Sequence, residues 1–390
     1  MLHIRKEIYT FFIRLRSSSP LVFGLLVGWL VLELVFALVL PALIGDTQYF
    51  SWYVPDKAKE STARFLRDEN ANIPDPIAGW RNKPNVHLGK WVVDANGSRS
   101  SHPVDLHHKG APTRVVFFGS SMVNGGEGVD NQHTISAGIE SDRIESLNFA
   151  SMAFSLDQSL LLYREMADQL QADVVVVGLD SDPIDGLYNH YIPLMLHDEV
   201  GVPYLKPRFR LDNGSLDLVP VDLKWLADLD HAPQFVSFLQ QHDRHYEKLV
   251  EYKHCDFTPL AHGTCWLHDK VTSTMNYLNG AKLATDPLME AEMAQFQKEV
   301  SAHGAKLIFM VLPNARMFYW SGYWKYFPDV YAMRVKALRD KGFAILDVRG
   351  LFRKSGLDGD ALFWDDQHHF AAPGNRVAAA GLLKMIQAEH

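Results

Sequence analysis

Residues 114–128, RVVFFGSSMVNGGEG, constrain the fold more than any other stretch of the chain. Residues 115–118 form an unbroken apolar run of strand formers, the pattern of a strand buried on both faces. Gly119 permits a sharp turn where that strand runs out, which leaves Ser120 and Ser121 at its carboxyl end. Gly125, Gly126 and Gly128 then let the backbone bend closely around whatever occupies that point. Ligands of open α/β sheets collect at the carboxyl ends of the strands, so the two serines are well placed for chemistry.

The rest of the chain supplies the partners such a strand needs. Residues 146–149 read as a short strand and residues 156–169 as a helix, with Leu160, Leu161, Tyr163 and Met166 at helical spacing. Residues 173–178, DVVVVG, are the clearest buried strand. The alternation resumes with a helix over 288–303 and a strand over 306–312. A helix over 331–341, a strand over 344–348 and a final helix over 375–389 follow. Strands alternating with helices imply a parallel sheet covered on both faces, a three-layer α/β fold.

Between residues 186 and 287 the alternation breaks down. This insertion carries Cys255 and Cys265, the chain's two cysteines, and a Leu-Asp-Asn-Gly turn at 211–214 that predicts a hairpin. The domain is thus expected in two parts, 111–185 and 288–390, with residues 45–110 as a linker and approach segment. Within that segment, residues 57–70 look helical, 75–85 are dense in turn formers, and 88–100 suggest a strand and a turn at Asn96-Gly97. His102, His107 and His108 stand beside no carboxylate or cysteine at a metal-ligand spacing and read as a solvated loop, and no cofactor site is legible.

Residues 20–44 are long and apolar enough to cross a bilayer, with Glu33 as their only charge. Arg5, Lys6, Arg14 and Arg16 precede them, and the mixed set Asp46, Asp56 and Lys57 follows. The positive-inside rule therefore places residues 1–19 in the cytoplasm and the remainder on the outer side of a single retained anchor. A cleaved signal peptide would have a shorter core and a small-residue cleavage site. Glu33 is costly at that depth and has two equal readings, a residue facing a partner helix or a single tolerated charge. A net charge of -8 argues against a nucleic-acid partner. Two cysteines ten residues apart close one local loop, Cys255 to Cys265, if the compartment is oxidising.

A serine is a weak nucleophile until a base takes its proton, and a histidine held by a carboxylate is the usual arrangement. Residues 364–374, WDDQHHFAAPG, offer one: Asp366 precedes His369 by three residues, a spacing that lets a turn carboxylate reach the imidazole. Asp365 and His368 share that spacing. Each part alone is common. A serine at one end, a D-x-x-H at the other and a parallel sheet between them are more specific together.

At these residues the chain resembles the SGNH (GDSL-like) hydrolase superfamily. FGSSMVNGG is similar to its first block, with Ser121 at the nucleophile position and Ser120 where the family has Asp. DDQHHFAAPG is similar to its last block, and the glycine five residues on, Gly374, selects Asp366 and His369. DPIAGWRNKPN, residues 75–85, is similar to an approach segment of envelope members. The resemblance covers roughly residues 75–185 and 300–390. It implies a flavodoxin-like sheet and a Ser121–His369–Asp366 triad, with an oxyanion hole from the amide of Ser121 and from Ala153, which falls at the family's glycine. The family's third block, G-x-N-D, is GLDSD at 178–182 here. Asp180 thus replaces an asparagine and cannot donate when ionised; Ser181 or Asn314 are the candidate substitutes.

A single anchor, an outward domain and LPNARMFYW at 312–320 resemble envelope acyl-transfer proteins, of the alginate O-acetylation and DltD-like kinds. That resemblance implies a bacterial inner-membrane protein whose domain faces the periplasmic or extracellular side. It also implies an envelope polysaccharide or acylated polymer as substrate and a membrane-bound O-acyltransferase as partner. Arg316, Tyr319 and Trp320 are then candidates for gripping a sugar, against the commoner role of such aromatics in packing. Two other readings use the same residues: an esterase or lipase for small or lipid esters, and a non-enzymatic scaffold for an acyltransferase.

Overall fold

The computed structural model describes residues 20–44, 56–180, 183–196, 204–228, 233–246, 258–278, 284–323, 328–365 and 369–388. It divides into two compact units, one of Met1–Tyr53 with Glu247–Met275, the other of Val54–Tyr246 with Asn276–His390.

The larger unit is built on a five-stranded sheet: β1 (Thr113–Phe118), β2 (Ile144–Asn148), β3 (Val174–Leu179), β4 (Lys306–Val311) and β5 (Ile345–Asp347). Their order is β5-β4-β3-β1-β2, and every neighbouring pair is parallel. The apolar runs read from the sequence alternate between two cores. Val116, Phe118, Val175, Val177, Leu307 and Phe309 enter one; Val115, Phe117, Val174, Val176, Ile308 and Met310 enter the other. Burying a side chain of this size stabilises the fold by about 1.5–3 kcal/mol, so two covered faces fix both strand position and register.

The covering helices follow from their own patterns. On one face lie α1 (Leu156–Leu170), α2 (Pro287–Ala302) and α3 (Val330–Asp340); on the other lie α4 (Val348–Ser355) and α5 (Ala372–Ala388). α1 starts with a capping box between Ser155 and Gln158, and α2 with Asp286 as cap and Pro287 in its first turn. α4 was not anticipated from sequence; eight residues carry too few turns for periodicity to show.

The chain leaves β1 to β2 on one side and then crosses to β3 on the other, so the carboxyl ends of β1 and β3 flank the switch point where α/β sheets bind ligands. The hairpin at 211–214 forms as expected, with Asn213 and Gly214 both at positive φ, 47° and 85°. Residues of the insertion up to Tyr246, among them Tyr191, Leu205, Phe209 and Phe235, join the core of the first face. Lys206 reaches Asp157 at the start of α1, both side chains fully buried.

The smaller unit holds the apolar helix Pro20–Ile44 and most of the helix Pro259–Leu278. The first is long and apolar enough to cross a membrane. Glu33 Oε2 accepts the Leu260 N–H at 2.9 Å, so a neighbouring helix of the same chain meets the lone charge of this apolar helix. Cys265 is disulfide-bonded, and Cys255, the one other cysteine, lies outside the described residues.

Candidate active site

β1 ends at Phe118, and the chain turns through Gly119 into a single helical turn, Ser121–Asn124. Ser120 caps that turn: its Oγ accepts the Met122 N–H at 3.2 Å. Ser121 is therefore the first residue of the turn, and its own N–H donates to no acceptor among the described residues.

His369 comes from the far end of the chain, three residues before α5. Phe363 and Phe370 pair across it, Trp364 N–H donates to the His369 carbonyl at 3.1 Å, and Ala371 N–H to the Leu362 carbonyl at 2.8 Å. A Cβ at Gly374 would lie 2.3 Å from the Leu362 carbonyl oxygen, which is the physical reason for a glycine at that position. The imidazole Nε2 sits 2.9 Å from Ser121 Oγ, across 248 residues of sequence. With Nδ1 bearing the proton, Nε2 is the acceptor of the serine hydroxyl.

The carboxylate at Nδ1 is Asp365. Its Oδ2 lies 2.5 Å from Nδ1, and its Oδ1 accepts the His369 backbone N–H at 2.9 Å. The D-x-x-H register selects Asp366, which lies outside the described residues. Four residues of separation suit a carboxylate that grips both the backbone and the ring of one histidine.

Trp364 stacks on the His369 ring with centroids 5.3 Å apart and planes 21° apart, and is 42% exposed. The glycines after Ser121 make room for these two rings. A Cβ on Gly126 would come to 3.0 Å from His369 Cδ2, and one on Gly128 to 2.2 Å from the Trp364 ring. What occupies the glycine bend is thus the chain's own histidine and tryptophan.

The loop after β2 supplies the second amide. Ala153 adopts φ 56°, the left-handed conformation that favours glycine, and its N–H donates to no acceptor among the described residues. The approach segment holds this loop from outside. Trp80 Nε1 donates to the Met152 carbonyl at 2.8 Å, Asn82 Nδ2 to the Ala150 carbonyl at 3.0 Å, and Ser151 Oγ to Asn72 Oδ1 at 2.9 Å.

Arg99 clamps the loop that follows Ser121. Fully buried, it donates to the Asn124 and Gly126 carbonyls at 3.0 and 2.5 Å, to the Val129 carbonyl at 2.6 Å and to Asn131 Oδ1 at 3.0 Å. Burial lowers its pKa to about 10, so it stays cationic at neutral pH. Neither Arg99 nor Trp80 was singled out from the sequence; a lone arginine in a polar turn and a tryptophan among turn formers carry no periodic signal.

Asp180, the residue after β3, receives a hydrogen bond from Ser120 Oγ at 2.6 Å, one residue from Ser121. Burial raises its carboxyl to about 6, against the opposing effects of the Ser120 hydrogen bond and the nearby His369. Ser181 lies outside the described residues. Asn314 is engaged elsewhere: its Oδ1 accepts the Met317 N–H at 2.8 Å and caps the helix Ala315–Tyr323. Arg316 is exposed on that helix. Tyr319, 51% exposed, lies against Gly359, where a Cβ would meet its hydroxyl, so packing accounts for part of this side chain. The Trp320 side chain lies outside the described residues. Among the described residues, no group of three or more His, Cys, Asp or Glu could hold a metal ion.

No family model matches the chain. No curated protein matches it in sequence. Solved structures similar to it include a catalytic variant of an acetylxylan esterase from Geobacillus stearothermophilus. It is 12% identical over 71% of this chain and 95% of that one, with a TM-score of 0.35. An α/β hydrolase from the Lake Arreo metagenome is 12% identical over 73% and 99%, with a TM-score of 0.36. A G-D-S-L family lipolytic protein from Desulfitobacterium hafniense DCB-2 is 11% identical over 70% and 99%, with a TM-score of 0.33.

Proposed function

We propose that this chain is a serine acyl esterase of the SGNH kind, held at a membrane by the helix Pro20–Ile44 and acting on acyl groups of an envelope polysaccharide. The observation that carries the reading is the hydrogen-bonded line Ser121–His369–Asp365.

In this reading Ser121 Oγ attacks the acyl carbonyl carbon while His369 Nε2 takes the hydroxyl proton. Asp365 keeps the ring in the required tautomer and offsets the imidazolium charge. The carbonyl oxygen becomes an oxyanion facing the Ser121 and Ala153 amides. Its collapse breaks the ester C–O bond, and His369 returns the proton to the departing alkoxide. A water, or the hydroxyl of a second sugar, then gives up its proton to His369, attacks the acyl-serine and frees Ser121. Water makes the protein an esterase; a sugar hydroxyl makes it a transferase, working beside a membrane-bound O-acyltransferase.

Trp364 favours a sugar over a lipid chain. Trp364 is 42% exposed and stacks on His369, which sets a partly open aromatic side chain beside the reacting atoms, the kind of group on which the apolar face of a pyranose packs. The test is turnover of 4-nitrophenyl acetate and of an acetylated xylan by the full chain in detergent, with Ser121→Ala as control. Serine-dependent release of acetate from the polysaccharide is expected. Equal turnover by wild type and Ser121→Ala, or none by either folded protein, would remove the esterase.

A further inference from the structure

We infer that the helix Pro259–Leu278 is a re-entrant element of the membrane, starting inside the bilayer against Glu33 and turning Leu267, Val271 and Met275 to lipid and its headgroups. The inference rests on the membrane anchor proposed above and adds a second element to it.

The depth of this helix follows from its partner. Glu33 is near the middle of the 25-residue apolar helix, about 20 Å from one end and about 16 Å from the other at the rise of an α-helix. The hydrocarbon of a bilayer is about 30 Å thick, so Glu33 lies within it wherever a spanning helix is centred. Leu260 N–H reaches Glu33 Oε2 at 2.9 Å. One turn further on, Gly263 fits against the Phe36 ring, where a Cβ would overlap it. Both contacts advance by three residues along each helix, so the two run side by side in the same direction. The second helix therefore starts as deep as Glu33 and rises toward the side on which the chain continues after Ile44.

A helix that starts in lipid must find acceptors for its first N–H groups, because no water reaches them. Pro259 has no N–H, Leu260 donates to Glu33, and Ala261 donates to Thr258 Oγ1 at 3.1 Å. On the next turn the exposed Thr264 Oγ1 donates back to the Ala261 carbonyl at 2.8 Å, which keeps its hydroxyl proton paired without water. Glu33 gains as well: a carboxyl group at that depth is costly alone, and the positive end of a helix is the neighbour that offsets it. One contact removes two penalties.

The outer surface of the helix is apolar. Leu267, Val271 and Met275 are four residues apart, on one face, and each is more than half exposed. By its rise from Leu260, Leu267 falls within the hydrocarbon, with Val271 and Met275 toward the headgroups. The chain on both sides of Glu247–Met275 belongs to the larger unit, so this segment returns to the side from which it came. Its helix carries His262, His268, Asp269 and Lys270, too many polar groups for a second span.

The experiment places a nitroxide on one introduced cysteine at a time in the full chain, reconstituted in phosphatidylcholine vesicles. The sites are Leu267→Cys and Met275→Cys on the stripe, Leu38→Cys on the apolar helix and Ser215→Cys on the exposed hairpin. Electron paramagnetic resonance compares collisions with oxygen, which concentrates in lipid, and with a nickel chelate, which stays in water. The label at Leu267 should favour oxygen as the label at Leu38 does, the one at Ser215 should favour nickel, and the one at Met275 should fall between. Nickel access at Leu267 with Leu38 in lipid would overturn the re-entrant helix and leave the anchor standing. A Leu267 label shielded from both reagents would mean that protein covers the stripe, and would overturn lipid as its occupant. Nickel access at Leu38 would instead overturn the membrane reading beneath. Glu33→Leu removes the acceptor of the Leu260 N–H and should give the Leu267 label access to nickel, whereas Glu33→Gln keeps a carbonyl oxygen and should not. A leucine variant that leaves the Leu267 label unchanged would overturn the pairing of Glu33 with the helix start.

Discussion

Asp365 holds His369 at two points, with one carboxylate oxygen 2.5 Å from ring Nδ1 and the other accepting the residue's own N–H at 2.9 Å. A carboxylate so placed fixes both the orientation of the ring and its tautomer. Replacing it by asparagine should cost roughly 10³–10⁴ in kcat, as expected when the wrong tautomer is populated. Asp366→Asn should leave kcat within a few-fold of wild type. Steady-state kinetics on the two variants decide between the neighbouring aspartates, and the reverse pattern would restore Asp366 as the acid.

Gly128 is needed because Trp364 lies over it. Gly128→Ala puts a Cβ 2.2 Å from the indole, with no rotamer of alanine to relieve the contact. Trp364 must leave its stack on His369, and we expect kcat to fall about 10–100-fold, as for a misplacement of catalytic groups by about 1 Å. The double variant Gly128→Ala/Trp364→Ala removes the clash and should regain most of the loss in kcat relative to Gly128→Ala. If the substrate is a polysaccharide, as proposed, its KM should stay high, because the indole on which a sugar would stack is gone. A double variant no better than the single one would show that the glycine serves another purpose.

Arg99 is a fully buried cation whose charge is spread over backbone carbonyls. Arg99→Met keeps much of its bulk and leaves those carbonyls unpaired, so unfolding free energy should drop by about 3–5 kcal/mol. Urea denaturation measures it. A change below about 1 kcal/mol would mean that the clamp contributes little net stability.

The raised carboxyl of Asp180 also predicts a pH dependence of stability that requires no substrate. The native state binds this proton more tightly than the unfolded chain does, so the group's contribution to stability is greatest in acid. It is lost as pH rises from 3.8, the ordinary value, through about 6, and is level above that. The difference amounts to roughly 3 kcal/mol at most. Asp180→Asn should therefore melt higher than wild type at pH 7.5, with the gap closing by pH 4. A gap that stays constant across that range would exclude a raised native pKa.

The fold was legible wherever a side chain's position is set by periodicity. The runs at 115–118 and 174–177 declare strands buried on both faces, and alternation with amphipathic helices declares a parallel sheet. The apolar helix was legible for the same reason, and so were Ser121 and His369 as a candidate pair, because one follows a strand and a glycine and the other precedes a helix. Trp80, Asn82 and Arg99 were not legible. Each acts on a loop to which it is bound by hydrogen bonds, and such bonds leave no period in a sequence.

The sequence by itself determined which strands exist, that they run parallel, and which end of the sheet carries the serine, because burial on two faces and the chain's alternation admit little else. Only the tertiary structure decided which aspartate contacts His369, what fills the bend of glycines and which hydroxyl donates to Asp180. Those choices turn on distances of a few ångströms that periodicity does not encode: Asp365 and Asp366 are neighbours in sequence, and it is the contact of Asp365 with the ring, beside the bridge between Phe363 and Phe370, that names a partner for His369.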